Sequence, residues 1–116
     1  MKQYLFLIRG GEAHHAQYSR EEFQAHMHKW MEWMGALNEQ GKLLGAQPLE
    51  VSGRQVTGAG KIVTDGPFME GKEMVGGYLM CKAADYSEAV EISKGCPILD
   101  FDSGSVEVRE IGELAM

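Results

Sequence analysis

The chain has 116 residues, of which 44% are hydrophobic and 24% are charged, and its formal net charge at pH 7 is -6. This length and composition predict one globular domain over residues 1–116, with a core large enough to fold without disulfides. The acidic balance argues against a nucleic-acid-binding protein. The apolar run at residues 4–8 is too short for a signal peptide or a membrane span, so the sequence predicts a cytoplasmic protein with no membrane contact.

The cysteine content predicts free thiols. Cys81 and Cys96 are the two cysteines of the chain, and both lie in apolar surroundings. Buried thiols in a reducing compartment are the expected state of such residues. Their spacing relative to the histidines does not match a zinc motif, and no phosphate-binding loop or nucleophile elbow is present. We therefore expect neither a metal nor another cofactor.

The first half of the chain predicts a strand and a long helix. Residues 4–8 form a continuous apolar run that is typical of a strand, which we place at residues 2–9. Ser19 and Glu22 have the spacing of a capping box, which starts a helix, and Gly41 is suited to end it. Within this helix the apolar residues recur at steps of four and three, which predicts a core-facing stripe of Phe23, Met27, Trp30, Met34 and Leu37. His26 and Trp33 lie on one flank of that stripe and Met31 on the other.

The second half predicts a bent strand, an inserted hairpin and a further strand, helix and strand. Pro48 cannot donate a ladder hydrogen bond, so its strand is expected to be at an edge or to contain a bulge. Asp85 is placed to cap the second helix, with Glu88 at the third position. The expected ranges are 42–51 for the bent strand, 54–57 and 61–64 for the hairpin, 74–81 for the next strand, 85–94 for the helix and 105–111 for the last strand.

This order of elements predicts an α+β fold of the ferredoxin-like split βαβ plait type, with an inserted hairpin. Two helices can cover one face of such a sheet. The opposite face then needs a partner for its apolar residues, and the simplest partner is a second copy of the chain. The sequence therefore predicts a homodimer.

The stretch from residue 64 to residue 78 resembles a known family. Asp65-Gly66-Pro67-Phe68 is followed by Glu70, Lys72-Glu73 and Gly76-Gly77-Tyr78, and this pattern is similar to the DGPF signature of the YCII-related (YciI-like) proteins. The first and last predicted strands also lie where that family has its own. The resemblance implies a dimeric α+β barrel. It also implies a link to extracytoplasmic-function sigma factors, beside which family members often occur.

Asp65 and His26 are the candidate catalytic residues. Asp65 follows a predicted strand and precedes the rigid Gly66-Pro67 corner, a place that suits a ligand-binding group but also a simple turn cap. His26 flanks the apolar stripe one turn before Trp30, so it can line a pocket or pack as a buried histidine. Arg9 is a candidate holder of an anionic group, or a surface ion-pair partner. Trp30 and Phe68 complete the expected substrate-binding set.

The other histidines are expected to be solvated. His28 faces away from the stripe, and His14 and His15 lie in a polar loop, although that loop remains an alternative neighbour for Asp65. The resemblance implies a helix histidine that is paired with an aspartate in a catalytic dyad. That position is Trp30 in this chain, and an indole cannot exchange a proton near pH 7. His26 is the remaining nearby residue able to do so.

Two functions from different classes follow from these observations. The first is a cofactor-independent lyase or isomerase that transfers a proton on a small aromatic or apolar substrate, which is also the chemistry that relatives of the fold imply. The second is a noncatalytic ligand-binding or regulatory module that uses the same pocket. The sequence leaves both open.

Overall fold

The computed structural model describes residues 1–10, 18–66 and 74–114, and the chain forms six strands, two α-helices and one 3-10 helix in this part. Within the described residues, no helix is both long enough and apolar enough to cross a membrane. In chain order the elements are β1 (Lys2–Arg9), α1 (Arg20–Glu39), β2 (Leu43–Pro48), β3 (Gly53–Thr57), β4 (Ile62–Gly66), β5 (Val75–Ala83), α2 (Tyr86–Ser93), the 3-10 helix (Pro97–Asp100) and β6 (Ser105–Glu110).

The main sheet has four strands in the order β2-β5-β1-β6, and each neighbouring pair is antiparallel. β5 therefore lies between β1 and β2, which α1 connects, and β1 lies between β5 and β6, which α2 connects. This interleaving is a split βαβ arrangement. The structure is α+β and compatible with a ferredoxin-like fold, while β3 and β4 form a separate two-stranded sheet.

Both ends of α1 follow the local sequence. The Ser19 hydroxyl accepts a hydrogen bond from the Glu22 amide at 3.1 Å, and the Glu22 carboxylate accepts one from the Ser19 amide at 3.3 Å. This confirms the predicted capping box. At the other end Gly41 has a φ of 69°, and Lys42 N donates to Leu37 O at 2.9 Å. That bond and the positive φ form a Schellman motif, which ends the helix.

The core lies between the two helices and one face of the sheet. Tyr4, Phe6 and Leu79 are completely buried there, and the ring of Phe6 stacks on Trp33 at a centroid distance of 6.4 Å. Because alternate side chains of a strand point to opposite faces, these residues define the helix-covered face.

The predicted core stripe of α1 is wrong in its first half. Phe23 and Met27 are 46% and 40% exposed, whereas His26 is only 4% exposed. The helix is rotated toward the flank that carries His26 and Trp33, because the aromatic rings of Tyr18 and Phe101 pack against His26. The steps from His26 through Trp30 and Trp33 to Leu37 are also four and three, so helical spacing fits both stripes.

The β2 strand is shorter than predicted and ends at Pro48 instead of residue 51. It is an edge strand with an irregular register between Leu43 and Gly45, as Pro48 indicated. Its backbone comes close to β5 at Gly77, where a Cβ atom would be 3.1 Å from the Gln47 carbonyl oxygen. The glycine there therefore leaves room for a neighbouring backbone.

The face of the main sheet opposite the helices is partly apolar. Leu5 pairs with Met80 and Leu7 pairs with Tyr78 across β1 and β5, and all four side chains are half-buried. Alternation along the strands places them on the side away from Tyr4 and Phe6. We call these four residues the open sheet face.

The β3-β4 hairpin extends away from this body. Every residue of β3 is exposed, and among the described elements β3 and β4 pack chiefly against each other. The chain has a Cα radius of gyration of 15.9 Å, compared with about 13 Å for a compact domain of this length. The hairpin is thus a projecting arm.

Candidate functional site

A cavity of about 230 Å³ lies between α1 and the sheet, where β2 ends and β5 begins. Met27, Trp30 and Met34 form its helix side, and Ala46 and Pro48 belong to its edge-strand side. Ile8, Gln47, Gly76, Gly77, Tyr78 and Leu79 complete the lining. The wall is mostly apolar and includes flexible thioethers, which adapt to different ligand shapes. An apolar cavity of about 150 Å³ can hold benzene, so this one has room for a substituted ring.

A larger groove of about 390 Å³ lies on another flank of α1, beside the 3-10 helix. It is lined by Lys29, Glu32, Trp33, Gly95, Pro97 and Asp100. The Lys29 ammonium already binds the Asp100 carboxylate at 2.9 Å, and the groove is open to solvent. Ligands bury most of their surface in enclosed pockets, so the smaller cavity is the better candidate site.

His26 adjoins this cavity through Trp30. The Trp30 indole Nε1 donates a hydrogen bond to His26 Nε2 at 3.0 Å. Accepting that bond makes Nε2 the unprotonated nitrogen, which assigns the proton of a neutral ring to Nδ1. The rings of Tyr18 and Phe101 lie 5.8 and 5.1 Å from the imidazole. His26 is therefore held as a buried, hydrogen-bonded side chain, and Trp30 links it to the cavity wall.

Asp65 lies on the hairpin, outside the cavity, and within β4, which runs to Gly66 instead of ending at residue 64 as predicted. Its carboxylate Oδ1 accepts a hydrogen bond from Arg54 Nη1 at 3.0 Å, and the two side chains are 90% and 73% exposed. An ion pair so open to water stabilises the fold little. The structure brings Asp65 together with Arg54 and, within one chain, not with His26.

Arg9 is engaged by a carboxylate at the end of β1. Its Nη1 atom lies 2.7 Å from Glu107 Oε1, and Arg109 Nη1 lies 3.3 Å from Glu107 Oε2. The hydrogen bond from Arg9 is the main reason that the pKa of Glu107 is lowered, with a smaller contribution from Arg109. Arg9 occupies the opposite side of the sheet from the cavity, since its neighbour Ile8 faces the helices.

The remaining predicted residues divide into two groups. His28 is exposed, as expected, and its Nε2 atom lies 2.8 Å from Glu32. Phe68, His14 and His15 lie outside the described residues. Among the described residues, no group of three or more histidine, cysteine, aspartate or glutamate side chains is arranged to hold a metal ion.

Sequence reasoning missed the small residues of the cavity wall. Ala46 and Pro48 carry no chemical signal of their own, and Pro48 indicated only an edge strand. The pair Gly76-Gly77 was the available signal, because glycines in an apolar strand indicate a close approach by a backbone or a ligand. Gly77 provides the close approach to Gln47, and both glycines border the cavity.

The fold and this cavity, as the described residues form them, define a small α+β protein with a mostly apolar pocket next to a buried histidine. The chain belongs to the YCII-related domain family, whose model matches residues 2–115. A search of curated proteins finds no match to the chain.

Proposed function

We propose that this protein binds a small, neutral, ring-shaped apolar ligand in the cavity between α1 and the end of β2, and that it acts as a ligand-binding or regulatory module. The supporting observation is the wall formed by Met27, Trp30, Met34 and Ala46 around about 230 Å³. Burial of an apolar ring there is favourable by about 25 cal/mol for each Å² removed from water. Regulation linked to sigma-factor systems and a cytoplasmic location belong to the same proposal. The free, buried thiols of Cys81 and Cys96 support a reducing compartment.

Calorimetric titration with p-cresol and with benzoate tests this proposal. We expect p-cresol to bind and benzoate to bind at least ten times more weakly, because burying an unpaired carboxylate in an apolar wall is costly. Ala46→Leu should abolish binding of p-cresol by filling the cavity. Ala36→Leu, a matched change at an exposed position of α1, should leave binding unchanged. Preference for benzoate would instead favour an anion site that involves Arg9.

Acid-base catalysis by Asp65 and His26 is the second candidate function. A buried imidazole one hydrogen bond from the cavity wall supports it. This function makes the protein a cofactor-independent lyase or isomerase. It requires Asp65 of one chain to reach the cavity of another chain, since its carboxylate is paired with Arg54 on the arm, outside the cavity of its own chain. His26→Gln and Asp65→Asn should then abolish turnover of a small aromatic substrate while binding persists. Turnover retained by both variants would exclude this function.

A homodimer of the dimeric α+β barrel type is part of the proposal. The open sheet face presents Leu5, Leu7, Tyr78 and Met80, and no helix in the described part of the chain covers them. Packing two such faces about 10 Å apart removes these side chains from water in both copies. Sedimentation at low micromolar concentration should therefore give a dimer, and Leu7→Asp should dissociate it. A wild-type species of 12.8 kDa would contradict the dimer.

A further inference from the structure

The β3-β4 arm exposes apolar residues on both of its sides: Ile62 on one side, and a directly opposed pair of valines on the other. Val56 pairs directly with Val63. Arg54 pairs with Asp65, and each lies two residues from the valine of its own strand. Directly opposed residues share a face and alternate residues repeat it, so these four side chains lie on the same side of the arm. Val56 and Val63 are 64% and 59% exposed. We call this side the valine face.

An isolated two-stranded hairpin is marginally stable in water. The arm of this chain is in that situation, since its strands pack chiefly against each other among the described elements. Covering the Val56-Val63 pair would stabilise the arm and remove the apolar surface on that side from water. Within the described part of the chain the valine face stays largely exposed, so it has room for an occupant.

We infer that the valine face of each copy docks on α1 of a second copy, beside Met27 and Met31, and forms an outer wall of that copy's cavity. This inference rests on the proposed homodimer. In such a dimer the open sheet faces are already buried against each other. Met27 and Met31 remain as exposed apolar residues of α1, at 40% and 66% exposure, and Met27 also lines the cavity.

Charge and size agree with this pairing. The α1 helix carries four carboxylates and two cationic side chains, whereas the arm from residue 53 to residue 66 carries two cationic side chains and one carboxylate. The two elements therefore have net charges of opposite sign, which favours their association. The chain from Pro48, where β2 ends, to Val56 can span at most about 27 Å when extended, which is enough to cross the roughly 10 Å between two stacked sheets and continue past the partner's sheet to its helix layer.

Symmetry makes the contact reciprocal. In a two-fold dimer, the arm of one copy contacts α1 of the other and receives the same contact in return, so both arms are covered by one interface. The arm also brings Asp65 with it, because that carboxylate lies on the valine face. Asp65 thereby comes near the cavity of the partner, and the complete site contains residues from two chains.

Thiol crosslinking between differently tagged chains tests the contact. The variants are Val63→Cys and Met31→Cys, and the native thiols of Cys81 and Cys96 are buried. With a short thiol-to-thiol crosslinker, an equal mixture of the two variants should give at least ten times more linked dimer than either variant alone. A matched mixture of Val63→Cys with Leu7→Cys should not, because Leu7 lies on the open sheet face.

Three results would overturn the inference. Efficient linkage of Val63→Cys to Leu7→Cys would place the arm on the sheet, and efficient linkage of Val63→Cys to itself would place two arms against each other. Absence of linkage between Val63→Cys and Met31→Cys in a sample that sediments as a dimer would exclude the arm contact without excluding the dimer. Titration of the same variants with p-cresol keeps the test of the cavity separate from the test of the arm.

Discussion

The body of the chain buries apolar side chains that would otherwise contact water, whereas the projecting arm leaves its valine pair exposed. In the body, Phe6 and Leu79 are completely buried between the sheet and the helices. In the arm, Val56 and Val63 are paired with each other and remain more than half exposed. The body is thus stabilised by its own packing, whereas the described residues give the arm little packing beyond the contacts between its own two strands. The two candidate catalytic residues are divided in the same way, with His26 in the body and Asp65 on the arm.

The largest expected difference between the two regions concerns large-to-small substitutions. Leu79→Ala should lower the free energy of unfolding by about 2–5 kcal/mol, because it leaves a cavity in a fully buried site. Val63→Ala should change it by less than about 0.5 kcal/mol in the dissociated monomer, since the side chain is already in water. Urea unfolding at a protein concentration below the dimer dissociation constant measures both. Equal losses would show that the arm is packed within its own chain.

Replacing a glycine by alanine should also affect stability more in the body than in the arm, but by a smaller difference. Gly10 ends the first strand with a φ of 88°, and a Cβ atom there would clash with the backbone carbonyl of Ser103. Gly10→Ala should therefore destabilise the body by about 1–3 kcal/mol, as overpacked sites do. Gly60→Ala in the turn of the arm is the control, because its Cβ would be 3.8 Å from the nearest atom, in the Ile62 side chain. Thermal unfolding that shifts equally for both variants would contradict the contrast.

A further expected effect is a pH dependence at alkaline pH. Burial raises the pKa of Cys81 from 9.0 to about 11 and that of Cys96 to about 12. Because the thiol pKa is higher in the folded state than in the unfolded state, the full contribution of the thiol to stability is present below about pH 9. This contribution is lost as the pH rises through the folded pKa. Cys81→Ala should thus flatten the decline in stability between pH 9 and about 11, relative to the wild type.

Urea unfolding at several pH values in this range measures that decline. The comparison is between the slopes of the wild type and of the Cys81→Ala variant, because other groups titrate equally in both. Identical slopes would mean that the Cys81 thiol is not more buried in the folded state than in the unfolded one.

Local chemistry predicted the ends of elements better than their faces. Ser19, Glu22, Gly41 and Asp85 have the predicted capping roles because each acts on atoms within a few residues. The orientation of α1 was missed because two helical stripes share Trp30 and Leu37, and the choice between them depends on residues far away in the sequence. Phe101, which packs on His26, is the clearest of these.

The candidate site was only partly predictable for a related reason. Trp30 was correctly identified as a residue near His26, and the structure shows a hydrogen bond between them. The position of Asp65 depends on the strand register, which pairs it with Arg54. Turn chemistry predicted a corner after Asp65, but it contains no information on which way an inserted hairpin points from the sheet.

The most direct test of the central claim, that ligand binding occurs in the body beside Trp30, is an NMR titration of the two indole N–H signals with p-cresol. Trp30 lines the cavity, while Trp33 donates its indole N–H to the Ile92 carbonyl at 3.2 Å and does not line it. We expect the Trp30 signal to shift in a saturable manner and the Trp33 signal to remain in place. A shift confined to Trp33, or to the amides of Arg54 and Asp65, would contradict the claim.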